Sequence, residues 1–207
     1  MSAAGLKELV DHRAMLMPIT VDQYYEMIGT GILPEGEPYE LLDGFLVRKD
    51  RSREGEDPMT VGDHHAWVIT MLTKLNPKFS RFGCYLRLQL PIEVSPNSVP
   101  EPDGAIVVGT EDDYREQRPS AAEVTCVIEV SDSSLQVDRL TKQRIYANAG
   151  IPQYIIINLR DLAVEVYTAP AVGKGRYGKS VTLSSGTVDF SAGRGKKLSV
   201  PLRSLLP

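Results

Sequence analysis

The sequence predicts a mixed α/β fold: a central β-sheet flanked by helices, with additional β-hairpins toward both ends of the chain. Three observations carry this. Residues 124–158 run as apolar strand, helix, apolar strand, a unit that implies a right-handed crossover and parallel pairing. The other apolar runs, such as 84–90 and 104–108, are too short for helices and strand-sized. The chain has 207 residues, 42% hydrophobic and 24% charged, an ordinary globular composition that excludes disordered, collagen-like and disulfide-framework classes.

The elements follow in order. The chain divides into an N-terminal extension, 1–17, and a single domain, 18–207. Thr20 caps a helix through Val21–Ile28, stopped by Gly29 and Gly31. Tyr39–Val47 is a hairpin around Asp43-Gly44. Residues 50–62 are polar, with Gly55, Pro58 and Gly62, and form a loop. A second helix spans Asp63 to about Leu75, with His65, Val68, Leu72 and Leu75 on one face, and Asn76-Pro77 ends or kinks it. Short strands follow at Cys84–Leu90, Ile92–Val94, Gly104–Val108 and Val124–Val130. Ser133 or Ser134 caps a helix from Leu135 to Ala149, closed by Gly150 and Pro152. Tyr154–Asn158 is a buried strand and Leu162–Thr168 its hairpin partner. Strand character returns at Val181–Leu183 and Val188–Phe190.

Charge and cysteine usage set boundaries. The net charge of −4 excludes a polybasic, histone-like protein but permits a local basic groove. The N-terminal residues carry no apolar core of signal-peptide length, and no run approaches the roughly 18 apolar residues of a membrane span. Cys84 and Cys126 lie in apolar strands, as buried reduced thiols do. A cytoplasmic protein with no membrane partner is expected.

Gly173-Lys174-Gly175-Arg176-Tyr177-Gly178-Lys179-Ser180 matches the phosphate-loop pattern Gly-x-x-x-x-Gly-Lys-Ser/Thr. That pattern requires a helix to follow, so that backbone N–H groups converge on phosphate. Here Val181-Thr182-Leu183 follows, which is strand-like, so the segment is expected to be a basic hairpin loop. Lys174, Arg176 and Lys179, together with Arg48, Lys49, Arg51 and Arg53, are candidate phosphate contacts or simply solvated loop charge.

The stronger signal is acidic. Asp103 opens the 104–108 strand, and Glu129 lies near the end of the next one, on the face of Thr125, Val127 and Ser131. A carboxylate at the end of an apolar strand must be paired, hydrogen-bonded, metal-bound or at an open sheet end. If the strands are neighbours, two carboxylates converge, the donor set Mg²⁺ prefers. Asp138, Lys142 and Tyr146 form an i, i+4, i+8 stripe on the following helix, from which Lys142 could reach that pair. The plainer alternative is an exposed Asp138–Lys142 helix pair and a Glu129 bonded to a helix N-terminus.

Glu129-Val130-Ser131-Asp132-Ser133-Ser134-Leu135, then Asp138-Arg139, Lys142, Tyr146-Ala147, Ala149-Gly150-Ile151-Pro152 and Tyr154, resemble the signature of the Uma-two family of bacterial restriction-endonuclease-like proteins, placed in the PD-(D/E)xK nuclease superfamily. The resemblance spans roughly residues 18–205 and includes Pro102-Asp103, the His65 helix and the Tyr39–Gly44 hairpin. It implies a restriction-endonuclease-like fold and Mg²⁺- (or Mn²⁺-) dependent hydrolysis of DNA phosphodiester bonds. Asp103, Glu129 and Lys142 are the implied catalytic residues, and Asp103, Glu129 and the Val130 carbonyl the implied metal ligands. The usual motif lysine falls on Ser131, a departure that Lys142 would fill from the next helix. Glu40 matches an early acidic position. Asp138, Tyr146 and His65 are accessory candidates. Such nucleases often act as homodimers. The contrasting expectations are a catalytically silent nucleic-acid- or protein-binding module of the same fold, or an unrelated small-molecule enzyme.

Overall fold

Thr20 closes both halves of a capping box, accepting from the Gln23 N–H while the Gln23 side chain accepts from its own N–H. Helix α1 (Val21–Gly29) therefore starts where the sequence predicts. The computed structural model describes residues 16–34, 36–48 and 62–207. Most of the predicted extension 1–17 and of the polar loop 50–62 lies outside those residues.

Strands β1 (Tyr39–Leu42) and β2 (Phe45–Arg48) form the N-terminal hairpin. Its two turn residues, Asp43 and Gly44, sit at φ 51° and 81°, the left-handed geometry that matches a hairpin turn to strand twist. Helix α2 (Asp63–Thr73) buries Val68 and Leu72. Pro77 lies in the first turn of a short α3 (Asn76–Ser80), where its missing N–H costs nothing.

Six strands form the central sheet in the order β3 (Cys84–Leu88), β4 (Gly104–Val108), β5 (Val124–Ser131), β6 (Gln153–Asn158), β7 (Ala163–Ala171) and β8 (Arg176–Leu183). All neighbours are antiparallel except β5 and β6, which are parallel. The crossover between them is one helix, α4, in three consecutive pieces: Leu135–Val137, a π-helical turn Asp138–Lys142, and Gln143–Asn148. Gly150, at φ 75°, closes it. A C-terminal hairpin, β9 (Thr187–Ser191) with β10 (Lys197–Pro201), is paired separately from the sheet and packs against it.

Two apolar layers sandwich the sheet. One packs Val68, Leu72, Phe79, Val188, Phe190 and Leu198 against Cys126, Ile128 and Ile155. The other packs Ile145, Tyr146 and Leu42 against Val127, Tyr154 and Ile156. Both cysteines are free and buried. Among the described residues no helix is long and apolar enough to cross a membrane.

Four local expectations change. Ile92–Val94 is not a strand: Pro91 and Pro96 bracket it, and Glu93 makes only an isolated bridge to Ser120. The 84–90 strand stops at Leu88, because Gln89 adopts φ 51°. Ser134 precedes α4 but spends its hydroxyl on Asp138 instead of capping the helix. The alternation of β5 breaks at a bulge, where Val124 rather than Thr125 faces Val107. Thr125 instead donates its hydroxyl to the Ser191 and Ile106 carbonyls.

Candidate active site

Registry places the site. Gly104 of β4 pairs with Ile128 of β5, so Asp103 and Glu129 arrive at the same end of the sheet. The Val130 N–H donates to Asp103 Oδ2 at 2.8 Å. The other oxygen, Oδ1, faces His65 Nε2 from the first turns of α2 at 3.1 Å. Asp103 is thus fixed at both oxygens, by β5 below and by α2 above.

Glu129 lies under α4 and is 3% exposed. Its Oε1 accepts from Lys142 Nζ at 3.0 Å and from the Tyr146 hydroxyl at 2.9 Å. Lys142 Nζ also lies 3.3 Å from Glu40 Oε1 and 3.8 Å from Asp138 Oδ1. Glu40 comes from β1 and is held by the Glu101 N–H at 2.7 Å. Asp138 Oδ2 accepts from the Ser131 and Ser134 hydroxyls, each at 2.7 Å. Glu40, Glu129, Asp138 and Lys142 are all buried. The plainer alternative of an exposed Asp138–Lys142 pair is therefore wrong.

One ammonium faces three carboxylates, and the titration of the cluster reflects that excess. Burial pushes Glu129 up, Lys142 pulls it down, and Asp138, Asp103 and Glu40 push it up, so that it is raised to about 8. Burial works to lower Lys142, but Glu129, Glu40 and Asp138 outweigh it and hold the ammonium well above its usual range. Burial and the Glu129 charge keep the Tyr146 phenol protonated, so it remains a donor.

The eight residues singled out from sequence — Glu40, His65, Asp103, Glu129, Val130, Asp138, Lys142 and Tyr146 — thus meet at one end of the sheet. The basic candidates do not. The β7–β8 turn with Lys174 lies at the opposite end, where the Gly175 N–H bonds the Asn148 side chain at the far end of α4. Arg48 pairs with Glu37 at 3.3 Å, and Lys49, Arg51 and Arg53 lie outside the described residues. Sequence reasoning missed the two serines that hold Asp138. Ser131 shares the Glu129 face of β5, and that parity is the signal that could have found it. It also missed Glu165, a buried carboxylate beside the cluster. Burial works to raise Glu165, yet bonds from Arg139, Tyr167 and Asn158 hold it below the usual range.

The model of the Uma2 family, described as "Putative restriction endonuclease", matches residues 21–191. The chain belongs to the Uma2 family. A solved structure from Anabaena variabilis ATCC 29413, described as a putative nuclease belonging to DUF820, matches this Uma2 protein with a TM-score of 0.64 at 18% identity. The match covers 91% of this chain and 97% of that one. At that identity the likeness concerns the fold, and it agrees with the mixed sheet and flanking helices of this Uma2 chain. No curated protein matches it.

Proposed function

We propose that this Uma2 protein is a Mg²⁺- (or Mn²⁺-) dependent endonuclease that hydrolyses DNA phosphodiester bonds at the Asp103–Glu129–Lys142 cluster. The observation that carries the reading is the meeting of Asp103 and Glu129 at one sheet end, with Lys142 Nζ 3.0 Å from Glu129. Family membership supports the reaction class.

The donor chemistry fits a hard divalent cation. Among the described residues no three His, Cys, Asp or Glu side chains form a ready-made metal cage. A magnesium ion does not need one, since it binds through one or two carboxylates and keeps several waters. Asp103, Glu129 and the Val130 carbonyl would hold it, and its charge would offset the carboxylate excess around Lys142. When bound, such an ion polarises a phosphate and acidifies water.

The chain's own residues supply the rest. Val130 N–H and His65 hold the Asp103 carboxylate in one orientation. Tyr146 and Lys142 together fix Oε1 of Glu129, which aims the other oxygen. Lys142 remains protonated and offers positive charge to an attacking oxygen and to the pentacovalent phosphate. Glu40 and Asp138 keep that ammonium in place. A DNA substrate and two buried thiols agree with the cytoplasm, and cutting both strands of a duplex suits a homodimer.

The test incubates the protein with linear, supercoiled and single-stranded DNA and Mg²⁺ or Mn²⁺, beside Asp103→Asn and Lys142→Met. Metal-dependent cleavage by wild type, reduced at least about hundredfold in both variants, is expected. DNA binding without cleavage by wild type would identify a silent binding module, and equal cleavage by the variants would move the chemistry elsewhere.

A further inference from the structure

A cavity of about 400 Å³ opens close to the acidic cluster. Tyr24 and Tyr25 of α1, Tyr39 of β1, Glu101 and Arg118 are among its walls. It adjoins the site through the backbone: Tyr39 precedes Glu40, and Glu101 donates its N–H to Glu40 Oε1.

The walls are aromatic and ordered. Tyr24 and Tyr25 pack with ring centroids 5.2 Å apart, and the Tyr24 hydroxyl is tied to the Tyr39 carbonyl at 3.0 Å. The Arg118 guanidinium carbon lies over the Tyr25 ring, 3.7 Å from its centroid, and the guanidinium is steadied by Glu93 at 3.7 Å. Its side chain is 39% exposed, so part of that stacked plane remains accessible. The Tyr25 hydroxyl is buried yet has no hydrogen-bond partner among the described residues. Burial holds that phenol well above its usual range, so it is a neutral donor. Buried hydroxyls ordinarily find partners, and the ring that carries this one is part of the cavity wall.

These features select among ligands. Glu37 and Glu101 also line the cavity, and their charge disfavours a phosphate. A flat, neutral, polarisable ring with hydrogen-bonding edges suits a stacked guanidinium, tyrosine rings and carboxylate acceptors. The volume suits one such ring and its sugar.

We propose that the Tyr25–Arg118 pocket receives a single unstacked nucleobase, from the nucleotide flanking the phosphate held at the neighbouring acidic cluster. The pocket would recognise a base taken out of its stack. The assignment deepens the nuclease reading and rests on it for the position of that nucleotide.

Binding without cleavage tests it. The full chain, carrying Asp103→Asn to prevent turnover, is titrated with deoxyribose 5-phosphate, with each of the four deoxynucleoside 5′-monophosphates, and with a short single strand containing 2-aminopurine. Base-bearing monophosphates should bind at least about tenfold tighter than the sugar phosphate, and 2-aminopurine emission should be quenched by stacking. Arg118→Ala, a half-exposed change that leaves the core intact, should abolish that preference. Tyr25→Phe keeps the ring, so it should retain the quenching while altering the ranking among the four bases. Equal affinity for deoxyribose 5-phosphate, or a base preference unchanged by Arg118→Ala, would overturn the pocket. Failure of wild type to cut DNA while base binding persists would refute the nuclease reading alone.

Discussion

Lys142 illustrates how a buried charge is tolerated. It survives at 6% exposure because three carboxylates surround it. Removing one partner of such a group leaves uncompensated charge, so Lys142→Met should cost about 3–5 kcal/mol in urea unfolding. Tyr146→Phe removes a single buried donor to Glu129, and about 1–3 kcal/mol is expected. The pH dependence has a definite sign. Glu129 titrates near 8 when folded against an ordinary 4.5, so the folded chain holds its proton more tightly. That stabilisation is complete below about 4.5 and drains away as pH rises toward 8. Lys142 is shifted upward and stays charged throughout this window, so it adds no slope there. In the absence of divalent cations, thermal unfolding should therefore move to lower temperature between pH 5 and 8. Glu129→Gln should flatten the trend, and Mg²⁺ or Mn²⁺ should restore stability at the upper end for wild type but not for Asp103→Asn. At this scale the sequence was informative. Carboxylates in apolar strands and an i, i+4, i+8 polar stripe are conspicuous because burial makes them expensive. The bonds of the serines to Asp138 were not: strand parity puts Ser131 on the Glu129 face, but nothing local says which group its hydroxyl, or that of Ser134, will meet.

At the scale of elements, the continuous apolar strands and the Asp43-Gly44 turn were legible, because burial on both faces and left-handed turn geometry each restrict residue choice. The π-turn in α4 was not: its sequence, Asp138 to Lys142, has ordinary helical propensity. Such turns tend to accompany functional sites. An extra residue per turn rotates everything before it by roughly 100° relative to everything after it. Deleting Leu140, which is 66% exposed, should restore α-helical register without emptying the core. Circular dichroism should stay near wild type, while DNA cleavage falls at least about hundredfold as Asp138 swings away from Lys142. The N-terminal hairpin gives a second test. A Cβ on Gly44 would land on Pro18, and the residue sits at φ 81°. Gly44→Ala should therefore cost about 2 kcal/mol or more. Activity should fall with it, because Glu40 rides on the same hairpin, which also ties to α4 through the Asp43–Arg144 pair.

For the whole molecule, the family match ends at residue 191, yet the core does not. Leu198, Val200, Leu202 and Leu205 are buried in the same layer as Val68 and Phe190. At about 1.5–3 kcal/mol each, their loss approaches the total stability of an ordinary domain. A chain truncated after Ser191 should be unfolded by circular dichroism and degraded rapidly by protease. The strand character of Val188–Phe190 was visible in sequence, but the second strand, Lys197–Pro201, and the packing of the hairpin were not, since nothing local distinguishes a hairpin that covers a sheet from one that projects into solvent. The dispersal of the site along the chain has a further consequence. Glu40, Asp103, Glu129 and Lys142 meet only across the hairpin, two antiparallel strands and the parallel crossover. During synthesis the acidic members emerge from the ribosome before the lysine. A nascent chain, or one released early, therefore carries the carboxylates without the ammonium that holds them together. The cutting centre we propose would come into being only in a chain that has passed Lys142 and closed its core with Leu198, Val200, Leu202 and Leu205, so translation products aborted before that point would not cut the genome beside them.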